Sequence, residues 1–168
     1  MTESDRPAMR ESTRAAFDDL LRRLGTSAKP DDGPVAPGSN SGAAIVGQLL
    51  ELDSAGAWVA TVGDQVVGAA LAGLRERLWY LAHLHVRPGL QGRGVGRRLL
   101  EAALRYGADA RGRLLHSSLD PQAMRCYQRA GFALEPAFQA IGVVRRSALP
   151  AGGPARAGGA DDLDLAAE

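Results

Sequence analysis

The chain has 168 residues, of which 45% are hydrophobic, and its formal net charge is +1 at pH 7. These values fit one domain with a hydrophobic core, and they give no basic field of the kind that binds nucleic acid. The single cysteine, Cys126, excludes an intrachain disulfide and a zinc site built from cysteines. No apolar run approaches the roughly 20 residues of a membrane span, and residues 1–6 lack a hydrophobic signal segment. We therefore expect a cytoplasmic protein.

The first third of the chain carries two helical patterns. A helix is predicted over residues 12–24, where large apolar side chains recur on one face and Gly25 follows as a C-cap. Residues 1–11 are interpreted as an N-terminal tail. Residues 26–41 are rich in Gly, Pro, Ser and Asp and are predicted to form a loop. The second helix is predicted over residues 42–52.

Apolar and alternating segments predict several strands in the rest of the chain. They are, in chain order, residues 57–62, 65–74, 78–87, 113–118, 132–134 and 139–146. The first two form a hairpin that turns at Gly63-Asp64. Asp120 is a natural N-cap, and Pro121 a natural first residue, of a helix that ends at Gly131. This order of elements predicts one α/β unit.

A glycine-rich segment joins the strand at 78–87 to a helix predicted to run to Tyr106. Gly92, Gly94 and Gly96 lie where that helix begins, and their missing Cβ atoms let a ligand approach the backbone. The free N–H groups of a helix's first turn carry partial positive charge and suit a phosphate group. Three arginines add positive charge: Arg93, Arg97 and Arg98. The segment predicts a site for a phosphorylated cofactor; the alternative is that the glycines only permit a tight turn.

The glycine spacing excludes two common nucleotide-binding motifs. It is G-x-G-x-G, which differs from the G-x-x-x-x-G-K-[ST] pattern of a P-loop and from the G-x-G-x-x-G pattern of dinucleotide folds. The acidic residue that dinucleotide folds place about 20 positions further on is absent from residues 113–118.

Two blocks of the sequence resemble motifs of the GNAT family of N-acetyltransferases. Residues 91–96, Gln-Gly-Arg-Gly-Val-Gly, resemble the family's motif (Q/R)-x-x-G-x-(G/A), and V-x-P precedes them at residues 86–88. Residues 120–132 resemble the motif N-x-x-A-x-x-x-Y-x-x-x-G-F, with Asp120 in place of the usual asparagine. The blocks stand in the family's order and at about its separation, and the resemblance covers residues 17–146.

The resemblance implies an α/β (α+β) fold, the GNAT-like acyl-CoA N-acyltransferase fold with a mixed central sheet flanked by helices. The family's first strand, which precedes its first helix, is not evident in residues 1–11. The family binds acetyl-CoA and transfers the acetyl group to an amine, so we expect a small-molecule or peptide amine acceptor. No metal, nucleic acid or membrane partner is expected, and homodimer formation is left open.

The resemblance also implies which residues bind coenzyme A. Pantetheine is expected to add to backbone groups freed by a bulge at residues 84–86, and the pyrophosphate to meet the N–H groups of residues 91–97. The implied cofactor-binding residues are Leu84, His85, Val86, Gln91, Gly92, Arg93, Gly94, Val95, Gly96, Arg97, Asp120 and Tyr127.

The candidate catalytic residues are Tyr127, His83 and His85. Tyr127 matches the family's general acid, and the alternative is a packed aromatic on an amphipathic helix. The family often places a glutamate base on the strand that corresponds to residues 78–86. The positions of that base hold Tyr80 and Ala82 in this chain, and His83 and His85 lie on the same strand. Strict alternation puts both histidines on the face opposite Tyr80, Ala82 and Leu84, although a bulge can re-aim one of them. The alternative is that both are structural, and a non-catalytic, regulatory coenzyme A-binding module therefore remains the second hypothesis.

The C-terminal region is interpreted separately from the GNAT domain, which is placed at residues 12–147. Residues 148–168 begin with a stretch of Ala, Gly and Pro that is typical of a flexible linker. Residues 155–168 resemble the opening of a second GNAT-like domain that is cut off after its start, and the alternative is a disordered acidic tail.

Overall fold

The computed structural model describes residues 1–25, 42–137 and Ser147. The chain divides into two compact units, residues 1–134 and 135–168. The predictions for the loop at 26–41, the strand at 139–146 and the tail at 148–168 lie outside the described residues.

Four α-helices are described, together with two short 3-10 helices. The helices are α1 (Arg6–Leu24), α2 (Gly42–Leu52), α3 (Val95–Tyr106) and α4 (Pro121–Arg129), and the 3-10 helices are Glu3–Asp5 and Ser54–Gly56. The predicted bounds of α2 and the end of α1 are confirmed, and Gly25 closes α1 in the left-handed conformation at φ +66°.

Helix α1 begins earlier than predicted. Residues 6–11, which were assigned to a tail, form its first turns, and Met9 is buried there with only 3% of its surface exposed. Pro7 stands in the first turn, where its missing N–H costs nothing. The prediction began the helix at Ser12 because residues 6–11 hold one large apolar residue, too few for a periodic pattern. Residues 1–11 contain no strand, in agreement with the expectation that the family's first strand is missing.

The described strands form one mixed sheet. They are β1 (Ala57–Val62), β2 (Gln65–Arg75), β3 (Leu78–Val86) and β4 (Gly112–Leu115), in the spatial order β1-β2-β3-β4. β1 pairs antiparallel with β2, β2 pairs antiparallel with β3, and β3 pairs parallel with β4. The predicted hairpin and the strand before the glycine-rich segment are confirmed, and β4 ends three residues before the predicted Ser118.

The prediction of a strand at residues 132–134 is wrong. These residues are irregular, because the N–H of Phe132 bonds back to the Tyr127 carbonyl at 3.1 Å and so completes the last turn of α4. The Phe132 ring packs 6.2 Å from the ring of Trp79 and 6.4 Å from that of Tyr127. Residue Phe132 is therefore part of the helix cap and the core.

Helices cover both faces of the sheet. On one face, Trp79 of β3 packs with Leu100 of α3 and Tyr127 of α4, and the Trp79 indole N–H donates to the Ala103 carbonyl at 3.0 Å. On the other face, the core contains Met9 of α1, and partly buried side chains of α2 pack against it. Residues on β3 therefore point either to α3 and α4 or to α1. None of the described helices combines the length and apolarity that crossing a membrane requires.

Candidate active site

Strands β3 and β4 diverge halfway along β3. Their parallel pairing joins residues 78–81 to residues 112–115 and stops there, whereas β3 continues to Val86. Within the described part of the chain, no strand pairs with residues 82–86 on that side. A sheet edge therefore opens in the region where the freed backbone groups were predicted.

The register with β2 shows which backbone groups face this open edge. The Arg87 N–H donates to the Val67 carbonyl at 2.7 Å, so the residues of β3 that bond to β2 alternate with those that do not. By this alternation His85, opposite Ala69, bonds toward β2, and the backbone groups of Leu84 and Val86 point the other way. The Gln91 side-chain amide donates to the Val86 carbonyl at 2.9 Å from that open side. Of the three predicted residues, Leu84 and Val86 present their backbone to the open edge.

Helix α3 begins at Val95, after a connection formed by residues 87–94. Its N-cap is Gly94 at φ +83°, and Gly92 lies at φ +74°, both left-handed conformations that favour glycine. A Cβ atom added to either residue meets no other atom within 4 Å, so the space outside both is open. Gly96 differs, because its missing side chain would lie 3.5 Å from Val86 Cγ2. That distance is an ordinary van der Waals contact, so a side chain at position 96 would lie against β3 and not in the open space outside Gly92 and Gly94.

The backbone of residues 91–97, here called the cradle, offers a run of free donors. None of its N–H groups donates to an acceptor in the described part of the chain, and the first such bond is Arg98 N–H to the Gly94 carbonyl at 3.1 Å. Free N–H groups at a helix start carry partial positive charge and favour an anion. Arg97 is paired with the exposed Glu101 at 3.3 Å, whereas Arg93 and Arg98 have no carboxylate partner among the described residues. The cradle therefore fits a pyrophosphate.

Tyr127 lies in the core beneath the open edge. Only 6% of its surface is exposed, and it belongs to the same cluster as Leu81 and Val86 of β3. Burial raises the pKa of Tyr127 to about 12, with smaller effects of Cys126 and Asp120 in the same direction. This pKa keeps the hydroxyl protonated at neutral pH. No described group hydrogen-bonds to the hydroxyl, so its proton is free to be donated.

Asp120 holds the start of α4. One carboxylate oxygen accepts the Gln122 N–H at 2.9 Å, as predicted for an N-cap, and the other accepts from Arg23 Nη2 at 3.0 Å. Burial raises the pKa of Asp120, but the hydrogen bonds from Arg23 and Gln122 outweigh it and hold the pKa below its usual value. Both oxygens are thus engaged by the protein. The sequence pointed to the cap and missed Arg23, because a pair separated by 97 positions leaves no local pattern.

His83 and His85 both point toward α1. His83 Nε2 lies 3.3 Å from Thr13 Oγ1, and His85 Nε2 lies 3.0 Å from Ser12 Oγ. The two rings meet edge to face with their centroids 5.0 Å apart, and Phe17 stacks on His83 at 6.0 Å. Burial lowers the pKa of His83 to about 4, and burial together with the neighbouring His83 lowers that of His85 to about 3. Both imidazoles are therefore neutral at pH 7.

A bulge reverses the alternation that was predicted along β3. Leu71 of β2 pairs with His83 and the next residue, Ala72, pairs with Leu81, so Ala82 is an extra residue on β3. Leu81 on one side of the bulge and Val86 on the other both face α3 and α4. The histidines consequently share a face with Tyr80, so the prediction that they lie opposite Tyr80 is wrong. They do lie opposite Leu84, as predicted, because Leu84 packs with Leu81 and Val86.

The part of α1 that contacts these histidines was not predicted as part of a site. Ser12, Thr13 and Phe17 were assigned only to an amphipathic helix, although a hydroxyl at position 13 and an aromatic at position 17 are one turn apart on one face. Burial raises the pKa of the Cys126 thiol, which disfavours the thiolate form that a nucleophile requires. The described residues contain no group of His, Cys, Asp and Glu side chains that could hold a metal ion.

Comparison with known proteins places this site in a family. The sequence profile of the Acetyltransferase (GNAT) family matches residues 17–132. An aminoglycoside acetyltransferase from an uncultured soil metagenomic sample, solved in complex with sisomicin, is 16% identical with a TM-score of 0.56, over 86% of this chain and 93% of that chain. A second soil-metagenome aminoglycoside acetyltransferase is 21% identical with a TM-score of 0.57, over 86% and 95% of the two chains.

A GNAT family acetyltransferase from Brucella melitensis, solved in complex with acetyl-CoA, is 24% identical with a TM-score of 0.53, over 80% of each chain. A search of curated protein sequences finds no match. The structural likenesses confirm the predicted fold, a mixed sheet flanked by helices, and the profile match over most of the chain confirms the predicted family. The chain belongs to the acetyltransferase (GNAT) family.

Proposed function

We propose that this chain transfers the acetyl group of acetyl-CoA to a primary amine of a small-molecule or peptide acceptor by direct attack. The observation that carries the proposal is the meeting of two open backbone surfaces, the cradle and the edge of β3 at Leu84 and Val86. The free N–H groups of the cradle suit the pyrophosphate of coenzyme A. The open strand edge suits the amide groups of its pantetheine arm, since an extended chain can pair with an unpaired strand.

Acetyl-CoA, when bound, supplies an activated acetyl thioester. Around that group, the open edge offers the N–H groups of Leu84 and Val86 as fixed donors for a carbonyl oxygen. The Tyr127 hydroxyl keeps a proton at neutral pH that no described group accepts, which suits a general acid. The positive charge of Arg93 and Arg98 beside the cradle adds attraction for a phosphorylated ligand.

His83 is better placed than His85 to accept a proton from the acceptor amine. His85 is buried, and its Nδ1 is sealed from solvent with no hydrogen-bond partner in the described part of the chain. His83 is only half-buried, and its Nδ1 is not sealed in this way. Its low pKa makes it a weak base. A general base works best with a pKa near the working pH, so this weakness limits the role of His83.

That weak basicity favours one second candidate, a coenzyme A-binding module without turnover. Release of coenzyme A thiol from acetyl-CoA, measured against a panel of amines, separates the two. The panel contains an aminoglycoside, because two of the structural neighbours are aminoglycoside acetyltransferases, together with a small diamine, a peptide with a free N-terminus and a lysine peptide. Amine-dependent thiol release supports the enzyme. Binding of coenzyme A without release across the panel would favour the module.

A further inference from the structure

The hydroxyl of Thr13 faces His83 with its lone pairs. A threonine hydroxyl has one proton, and Thr13 donates it to the Met9 carbonyl at 2.9 Å, one turn earlier on α1. His83 Nε2 lies 3.3 Å from the same oxygen. Because the contact with the Met9 carbonyl is the shorter of the two, we assign the hydroxyl proton to it. The Thr13 oxygen then accepts from the imidazole, and Nε2 of His83 carries the hydrogen.

This fixes the tautomer of His83. A neutral imidazole has a single N–H, so a hydrogen on Nε2 leaves a lone pair on Nδ1. Burial, including the stacked ring of Phe17, keeps His83 neutral. No described group hydrogen-bonds to its Nδ1, and that atom is not sealed from solvent. The lone pair of Nδ1 is thus available to a ligand.

We propose that Thr13 is a positioning residue, which holds His83 as the Nε2–H tautomer and so presents its Nδ1 lone pair to the ammonium group of the acceptor. In the step that follows, a proton leaves the ammonium nitrogen and bonds to Nδ1, which gives a neutral amine and an imidazolium. The neutral amine then has the electron pair that attack requires. This inference rests on the proposed acetyltransferase function and adds a residue of α1 to it.

The neighbouring pair does not duplicate this arrangement. Ser12 lies 3.0 Å from His85 Nε2, but His85 is buried and its Nδ1 has no partner in the part of the chain that the structure describes. Its lone pair or N–H therefore meets no ligand, and the Ser12–His85 pair packs α1 against β3. A variant at Ser12 is accordingly the matched control for a variant at Thr13.

The tautomer is tested directly by long-range ¹H–¹⁵N NMR spectra of the imidazoles in the full chain at pH 7. The chain has three histidines, and a His83→Gln variant assigns the signals of His83. The proposal expects His83 as the neutral Nε2–H form in the parent and in Thr13→Ser. It expects a shift toward the Nδ1–H form in Thr13→Val, which keeps the side-chain shape and removes the acceptor. A parent spectrum with His83 as Nδ1–H, or an unchanged tautomer in Thr13→Val, overturns it.

The effect of Thr13 on catalysis is tested by kinetics with the amine of the panel that gives the fastest thiol release. Thr13→Val is expected to lower kcat by about tenfold or more, part of the 10²–10⁴-fold that a general base supplies, with the KM for acetyl-CoA nearly unchanged. Thr13→Ser is expected to restore kcat, and Ser12→Ala to leave it near the parent value. An altered tautomer with an unaltered kcat overturns the role of Thr13 while acetyl transfer stands. A parent that shows the expected tautomer and no turnover with any amine overturns the proposed function instead.

Discussion

Arg23, near the end of α1, and Asp120, at the N-cap of α4, form an ion pair with 3.0 Å between Nη2 and Oδ2. The same carboxylate accepts the Gln122 N–H at 2.9 Å, so one side chain both caps α4 and joins it to α1. The family motif has asparagine at this position, which can cap a helix but carries no charge. The aspartate thus gives this chain an electrostatic link that the motif residue does not provide.

The two tasks of Asp120 can be separated by two substitutions. Asp120→Asn keeps a capping side chain and loses the charge, and we expect it to lower the free energy of unfolding by about 0.5–1 kcal/mol, because Arg23 is partly exposed. Asp120→Ala also loses the cap, at a further cost of about 1 kcal/mol. Urea unfolding at pH 7 measures both. Equal losses in the two variants would show that the side chain does not cap α4.

The ion pair between Arg23 and Asp120 makes the stability of the folded chain depend on pH. The pKa of Asp120 is lowered in the folded chain, so the stabilisation by its charge is present above the unfolded pKa of about 3.9 and is lost as the pH falls through the lower, folded value. The parent and Asp120→Asn should therefore differ at pH 7 and converge in acid.

The cradle is tested by two glycines that have the same backbone conformation. Gly94 lies at φ +83° inside the cradle and Gly89 at φ +80° outside it, and a Cβ atom on either meets no atom within 4 Å. An alanine at either position carries a similar strain of about 1–2 kcal/mol. We expect Gly94→Ala to weaken coenzyme A binding about tenfold in calorimetry, which is about 1.4 kcal/mol. Gly89→Ala should bind like the parent. If both variants lose affinity equally, strain and not the cradle explains the effect.

Substitutions at Tyr127 and Tyr106 distinguish an effect on catalysis from an effect on stability. Tyr127→Phe removes the proposed proton donor, so kcat should fall about 10²–10⁴-fold. The hydroxyl makes no hydrogen bond with a described group, so coenzyme A affinity and stability should change little. The hydroxyl of Tyr106 donates to the buried Asp53 carboxylate at 2.8 Å. Tyr106→Phe should therefore lower stability by about 1.5–3 kcal/mol and leave kcat near the parent value. A parent-like kcat in Tyr127→Phe would return that residue to a packing role.

The sequence predicted those elements whose signals are local. The hairpin at Gly63-Asp64, the bounds of α2 and the cap at Asp120 each follow from residues within a few positions of one another. The start of α1 was missed because Met9 is its only large apolar residue before Ser12, and its burial comes from tertiary packing.

The geometry of the candidate site was less predictable for a physical reason. The bulge at Ala82 is a shift in the pairing register between β2 and β3, and the residue types around it do not predict its position. It decides that His83 faces α1 and thereby meets Thr13, a contact across 70 positions of the chain. Sequence motifs therefore predict the cradle and Tyr127 as parts of the site, whereas the contacts of the histidines can be seen only in the folded structure.

The buried histidines also predict a loss of stability in mild acid. Their pKa values are about 4 and about 3 in the folded chain, below the unfolded value of about 6.5, so the unfolded chain binds the protons first. Stability should be independent of them above pH of about 6.5 and fall as the pH drops toward 4, by up to about 1.4 kcal/mol per pH unit for each histidine.

Urea unfolding between pH 7 and pH 4.5 measures this slope. His85→Gln should reduce the slope by about half, because it removes one of the two imidazoles whose pKa is lowered by burial. A parent whose stability is flat over this range would show that the two imidazoles are not buried in the neutral form.

In our proposal, coenzyme A binds to the cradle and to the open edge of β3. Backbone amide NMR of the ¹⁵N-labelled chain, titrated with coenzyme A, tests for binding at both surfaces. We expect the largest shifts, toward stronger hydrogen bonding, at the amides of residues 91–97 and at those of Leu84 and Val86, whose N–H groups face no strand in the described chain. The amide of His85, which bonds toward β2, should move less. If saturating coenzyme A leaves the amide signals of the cradle unshifted, or shifts only amide signals elsewhere, coenzyme A does not bind at the cradle.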